Sequence, residues 1–234
     1  MRNLTVIFCL FFIPLALASE KSLYEFKWLD EDETVYVIQN KEHTKAGGIG
    51  VDLSFVDSAS SPYQDTTGLI FGVTYYFSEM FSMDFTYKQY NNSNSGDLDN
   101  LLEALLADGE QEVKPILRII ENAKLIHFNW IPFYGKVNIF NRIFFFDWGL
   151  GVGVGQFDTK GNWETFNESN TRLTFESDTD TGFNFRSYVK FFTRSNITLG
   201  FEYNLTGVDT IRDPNGKKDI LYYNDIIGTI GYLF

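Results

Sequence analysis

Cysteine is almost absent: the single cysteine among 234 residues is Cys9, inside an apolar run near the N-terminus. The chain beyond that run therefore has no disulfide framework, thiol nucleophile or thiolate metal site. Histidine is scarce as well, with His43 and His127 the two present. Basic residues number 19 against 31 acidic ones, a formal net charge of −12. That balance lacks the basic face that holds nucleic acid, so no such partner is expected. Past the N-terminus there is no run of about eighteen apolar residues, which excludes a transmembrane helix. No D-x-D-x-D-G run marks a calcium loop, and neither metal nor cofactor is expected.

What is present begins with an export signal. Met1 and Arg2 precede an apolar stretch over 4–17, broken only by Thr5 and Pro14, and Ala16-Leu17-Ala18 has the small-x-small form that signal peptidase reads. Residues 1–18 are thus expected to be a signal peptide, with Ser19 the first mature residue. Cys9 does not fit a lipoprotein site, because Phe8 precedes it and the apolar run continues beyond it. Residues 19–46, acidic at Asp30-Glu31-Asp32-Glu33, are expected to be a periplasmic segment or a partner-docking strand. Residues 47–234 form the folded domain.

Aromatic residues make up 18% of the chain, including 24 Phe and 13 Tyr, while mean hydropathy is slightly negative. A lipid-facing barrel with a polar lumen has this composition, and so does an aromatic-rich soluble sandwich. Periodicity separates them. Ile49, Val51, Leu53 and Phe55 alternate with polar or small residues. The same holds for Leu69, Phe71, Val73, Tyr75 and Phe77, and for Phe81, Met83, Phe85 and Tyr87. Alternate residues of a strand share a face, so each segment is apolar on one side and polar on the other. A fourth strand is expected over 124–140, with a bulge near Trp130 because Pro132 cannot donate to a ladder. In the fifth, Phe144, Phe146, Trp148, Leu150, Val152 and Val154 oppose Asp147 and the glycines 149, 151, 153 and 155. Phe183, Phe185, Val189 and Phe191 mark a sixth strand. Ile197, Leu199, Phe201, Tyr203 and Leu205 mark a seventh, and the eighth runs from about Ile220 to the last residue.

Tight turns at Ser78-Glu79, Asn141-Arg142 and Arg194-Ser195 alternate with long polar links at 57–66, 91–123, 156–179 and 206–219. An up-and-down meander then carries every long link at one end, as outer-membrane barrels do. A Greek-key sandwich has no reason to alternate this way. The expected fold is all-β, an eight-stranded antiparallel up-and-down transmembrane β-barrel with a short helical extracellular insert. A soluble lipocalin-like barrel would place its apolar face inside. The C-terminal Phe234, with Tyr232 and Ile230 at alternate positions, resembles the terminal strand recognised by the barrel assembly machinery, an expected partner alongside outer-membrane lipid.

Alternation also selects an interior. Asp52, Asp84, Lys88, Lys136, Asp147, Arg186, Lys190, Glu202 and Asp225 are expected to point inward and pair, because unpaired charge in a narrow lumen is costly. Eight strands leave room for packed side chains or one small ligand, so the network is either a closing plug or a gate for small ions. The inward glycines of strand five leave room for bulky neighbours such as Tyr76 and Tyr188, or else a small cavity. His127 is placed near the outer end of strand four, at the membrane edge. Two residues on stands Asn129, which cannot act as a nucleophile, so no catalytic residue is assigned. Within the link between strands three and four, Leu98, Leu101, Leu102, Leu105 and Leu106 have helical spacing over 97–107, with Asp97 or Asp99 as N-cap and Gly109 as stop. These leucines, with Ile116, Leu117, Ile119 and Ile120, suit a lid over the mouth, a membrane-surface element or a surface for another protein.

The stretch Trp130-Ile131-Pro132-Phe133-Tyr134-Gly135-Lys136, the pair Phe146-Asp147, the run Gly149-x-Gly151-x-Gly153 and the segment Val35-Tyr36-Val37-Ile38-Gln39-Asn40-Lys41 resemble an outer-membrane β-barrel family of myxobacteria and predatory relatives. The resemblance implies the same fold and location, from about Glu33 onward, and brings no reaction with it. The expected function is a non-enzymatic outer-membrane barrel with a structural or surface-interaction role. A narrow pore or small-ligand transporter is the alternative, followed by a lipid-modifying enzyme.

Overall fold

The computed structural model describes residues 42–61, 63–107, 117–139, 142–162, 175–193, 195–211 and 217–234. The expected signal peptide, most of the segment after it, the 35–41 motif, Gly109, Ile116 and Asn141 lie outside the described residues. Among the described residues, eight strands and one helix follow in order: β1 (Ile49–Ser61), β2 (Gln64–Tyr76), β3 (Phe81–Asn94), α1 (Gly96–Ala107), β4 (Arg118–Ile139), β5 (Arg142–Gly161), β6 (Glu176–Phe192), β7 (Ile197–Ile211) and β8 (Lys218–Leu233). Each strand pairs antiparallel with its sequence neighbour, and β1 closes the ring on β8 from Gly50↔Leu233 to Ser58↔Asp225. Closure removes the edges that an open sheet would offer to another chain along the body of the barrel.

The face assignment follows the alternation. Phe85 on β3 is 47% exposed on the outside, while Asp84 beside it is 4% exposed within. Outward positions of every strand carry exposed apolar side chains, among them Phe55, Phe71, Phe128, Val152, Phe185, Phe201 and Ile230. Along β2 and the residue after it this face runs from Leu69 to Phe77, roughly 27 Å at about 3.4 Å per residue. A strand tilt near 40° reduces that to roughly 20 Å along the barrel axis, close to the ~25 Å apolar band of membrane barrels.

The strands are longer than expected, and the difference is concentrated at the long-link end. The 57–66 link is itself ladder, since β1 and β2 stay paired through Ser58↔Thr66 and again at Ser61↔Gln64. β4 begins at Arg118 rather than near Lys124. Its ladder with β5 shifts between Trp130 and Phe133, where Pro132 interrupts donation as anticipated, and again between Ile120 and Asn122. The first shift ends the pairing of β4 with β3 at Phe81↔Trp130. From Phe133 to Ile139, β4 pairs on one side only, with β5, while β5 stays paired with β6 from Phe145 onward.

Helix α1 forms over 96–107 as its leucine spacing dictates, but its cap is Ser95 rather than Asp97 or Asp99. The Leu98 N–H donates to Ser95 Oγ at 3.4 Å and the Asp99 N–H to the Ser95 carbonyl at 3.2 Å. Asp97 and Asp99 occupy the first turn, where their charge suits the helix dipole. Leu98 and Leu117 are buried.

The interior is layered. Tyr76, Ile131, Phe192 and Leu233 cluster at the short-turn end. Ile120, Ala123, Leu125, Phe157, Val208 and Tyr223 cluster toward the other, with Val56, Ile70 and Ile227 as a third group. The charged residues lie between these apolar layers.

Candidate functional site: the charged lumen

The side chains that fill the lumen come from strands whose inward positions alternate with the apolar outer face. In the middle layer, Arg186 on β6 pairs with Asp84 on β3 and donates from Nε to Asn129 Oδ1 on β4 at 3.0 Å. Asn129 in turn donates to the same carboxylate oxygen that Arg186 holds, Asp84 Oδ1, at 2.7 Å, and to Ser82 Oγ at 3.1 Å. Asp84 Oδ2 accepts from Thr86 at 2.8 Å and lies 3.2 Å from His127 Nδ1. His127 Nε2 is 2.9 Å from Asn184 Oδ1, and Asn184 donates its amide N–H to Thr206. Glu202 is the outermost member, 3.8 Å from Arg186 Nη1.

Two more pairs flank this layer. Lys190 on β6 spans the lumen to both oxygens of Asp52 on β1, at 2.8 and 3.1 Å. Lys88 on β3 reaches Asp225 on β8 at 3.0 Å, and Tyr90 donates to the same oxygen at 2.8 Å. These contacts join strands on opposite sides of the barrel, so they fix register and cross-section together.

Eight of the nine residues expected inside are there, and Lys136 is not. It is exposed, because this part of β4 has run past the end of β3 and has no strand on that side. A cation not expected inside takes part instead: Lys45, which precedes β1, pairs with the buried Asp147 on β5. Lys45 is 1% exposed and lies 5.8 Å from the Tyr76 ring and 5.7 Å from the Phe192 ring. The chain enters through a turn at Gly47, whose φ of 80° suits glycine. There the Gly47 N–H donates to the Tyr76 carbonyl at 2.8 Å, while Glu79 accepts the N–H groups of Lys45 and Ala46. His43 stacks on Phe192 at 5.4 Å between centroids and meets Phe145 edge-on. The approach to β1 therefore stops the short-turn end of the lumen. Its sequence signal is faint: a lysine and a histidine ahead of Gly47-Gly48, outside any alternating run.

His127 is also placed differently from expectation. It is 1% exposed and sits in the lumen, not at a membrane edge. The glycines of β5 explain how it fits. A Cβ at Gly153 would strike the His127 ring, one at Gly151 would strike Asn129 and Arg186, and one at Gly149 would strike the Tyr188 ring. The glycine ladder is thus a trough into which large polar side chains of β4 and β6 lie. Tyr188 was foreseen as a beneficiary; His127, Asn129 and Arg186 were not, because their cross-strand register is invisible to alternation alone. What stays open is a central cavity of about 50 Å³, bordered by Gly72, Thr74, Lys190, Gly200 and Thr229.

No family model matches the chain, and no curated protein does. Among solved structures, the chain is similar to the N-terminal β-barrel domain of Pseudomonas aeruginosa OprF, with a TM-score of 0.49 and 7% identity over 81% of this chain and 98% of that one. It is similar to Neisserial surface protein A, with a TM-score of 0.44 and 8% identity over 79% and 95% of the two chains. For Ail, the attachment invasion locus protein of Yersinia pestis, the TM-score is 0.40 and identity 14%, over 81% and 99%. These are similarities of backbone path between barrels.

Proposed function

We propose that the chain is an integral outer-membrane β-barrel with a structural or surface-interaction role, a closed lumen and no catalysis. One observation carries the reading: the barrel is apolar outside and charge-paired inside. Phe201, at 68% exposure, and Ile226, at 65%, point away from a lumen that holds Asp84, Lys88 and Arg186. A soluble barrel would pay for that arrangement with a continuous apolar surface in water, at about 25 cal/mol per Å². Lipid removes the cost. Exposed Ile230, Tyr232 and Phe234 on one face of β8 and the terminus suit recognition by the barrel assembly machinery. The motifs around Trp130 and Gly149 support placing the chain with the myxobacterial and predatory type. The export signal at 1–18 belongs to the same reading.

The test is fractionation with heat-modifiable gel mobility. The chain is expected to resist extraction by high salt and carbonate and to migrate faster unheated than boiled. Release by carbonate would overturn the reading. The central cavity favours, as a second reading, a narrow passage for water or small ions. Its size of about 50 Å³ holds a few waters and no larger solute. Against a lipid-modifying role, His127 faces Asp84 and Asn184 inside the barrel, on the side away from any acyl chain.

A further inference from the structure

We propose that the long-link end of the lumen is a binding site for an oxyanion head group, a carboxylate or a phosphate, anchored by Arg118. Arg118 opens β4 and lines a small pocket with Asn92, Tyr223 and Asp225. Its Nε and Nη2 are shut off from solvent and make no hydrogen bond among the described residues. Those two nitrogens form one edge of the guanidinium, where two N–H bonds run parallel, and that edge matches a pair of oxygens on one carboxylate or phosphate.

The surroundings leave the fork to a ligand. Asp178 and Asp180 lie within electrostatic range of Arg118 without pairing to it. Asp180 is already committed, accepting from Thr159 at 2.7 Å on Oδ2 and from Lys218 at 3.3 Å on Oδ1. The nearby amide is spent as well, since Asn92 accepts from Thr66 at 2.7 Å and donates to the Ile120 carbonyl at 2.8 Å. Tyr223, 7% exposed, lines the same pocket and its hydroxyl also has no partner. The unmet donors are therefore a cationic fork and a phenolic O–H, a set that selects an anion. Asp225 Oδ1 is the one unmet acceptor among these lining residues, and its carboxylate is already matched by Lys88. Gly161, opposite Arg118 in the ladder, makes room for the fork, because a Cβ there would run into the guanidinium. The free space is about 10 Å³, close to what one water needs, so the oxygen edge of a head group enters at the fork and the rest of the group stays at the pocket mouth.

The proposal is tested on the full chain refolded in zwitterionic micelles, titrated separately with sodium acetate, inorganic phosphate and sodium chloride. The Arg118 Nε–H resonance and the Gly161 amide are followed. A saturable shift with acetate or with phosphate, and not with chloride, is expected, and the anion that saturates names the class. Arg118→Met should weaken binding read at Gly161 by roughly tenfold or more, the size of a lost charge-assisted pair. Tyr223→Phe, which removes one oxygen, should weaken it several-fold and serves if Arg118→Met does not fold. Resonances unmoved by either anion, as when water alone satisfies the fork, would overturn the proposal. So would affinity unchanged in the variants. Neither result bears on membrane residence, which extraction decides separately.

Discussion

At the scale of single residues, the lumen is a set of commitments that cannot be broken one at a time. Arg186 is the cation facing Asp84, and both are buried. Arg186→Met leaves a carboxylate enclosed with only His127 and neutral donors around it. The expected loss is about 3–5 kcal/mol, the usual cost of orphaning a buried charge. The double variant Asp84→Asn/Arg186→Met should recover part of that loss. Urea unfolding in micelles measures both, and equal stability of the single and double variants would contradict the pairing. Glycine offers a second contrast. Gly153→Ala drives a Cβ into the His127 ring, whereas a Cβ at Gly228 meets nothing within 4 Å. Gly153→Ala should cost about 1–3 kcal/mol, and Gly228→Ala about 0.5 kcal/mol or less in either direction. The inward charges were legible because each lies in a strand whose outer face is plainly apolar. Lys45 was not, since it precedes the alternation, and Lys136 was misplaced because parity does not say where a ring ends.

Elements were readable to the extent that one face of each must be apolar. All eight strands are present, in order, with the expected faces, since a one-residue slip would turn every outward aromatic into the lumen. Lengths were not readable. Above the apolar belt neither face is constrained by lipid, so polar ladder such as Ser58↔Thr66 has the composition of a loop. The same limit hid the outer apolar cluster, where inward Ile120 and Phe157 break the polar-in rule. In α1 the spacing of leucines marks the helix, but the sequence points to Asp97 or Asp99 as its cap, and only the carbonyl and hydroxyl geometry selects Ser95. Ser95→Ala should destabilise the helix by about 1 kcal/mol. The checking measurement is hydrogen exchange: amides of 97–100 should exchange roughly fivefold faster while those of β3 are unchanged. Acceleration spread over the whole barrel would mean that the helix is not a separate unit.

For the whole molecule, closure is distributed, and that determines how it should behave in a bilayer. From the short-turn end inward, an ion crossing the lumen meets Lys45 bound to Asp147 under the Tyr76–Phe192 cluster. It then meets the Lys190–Asp52 pair, the Arg186–Asp84 layer, the Lys88–Asp225 pair and finally the apolar cluster of Ile120 and Phe157. Opening one layer leaves the others shut, and the intervening cavity holds only a few waters. Wild-type protein in planar bilayers is therefore expected to show no stable open level. Lys45→Ala, which removes the stopper from one end alone, should not create one either, although it should lower stability by about 3–5 kcal/mol by leaving Asp147 without its cation. A steady conductance in the wild type would show that the pairs exchange partners collectively and that the lumen is a gate. Conductance appearing only in Lys45→Ala would instead locate the whole barrier at the short-turn end and remove any blocking role from the charged layers above it.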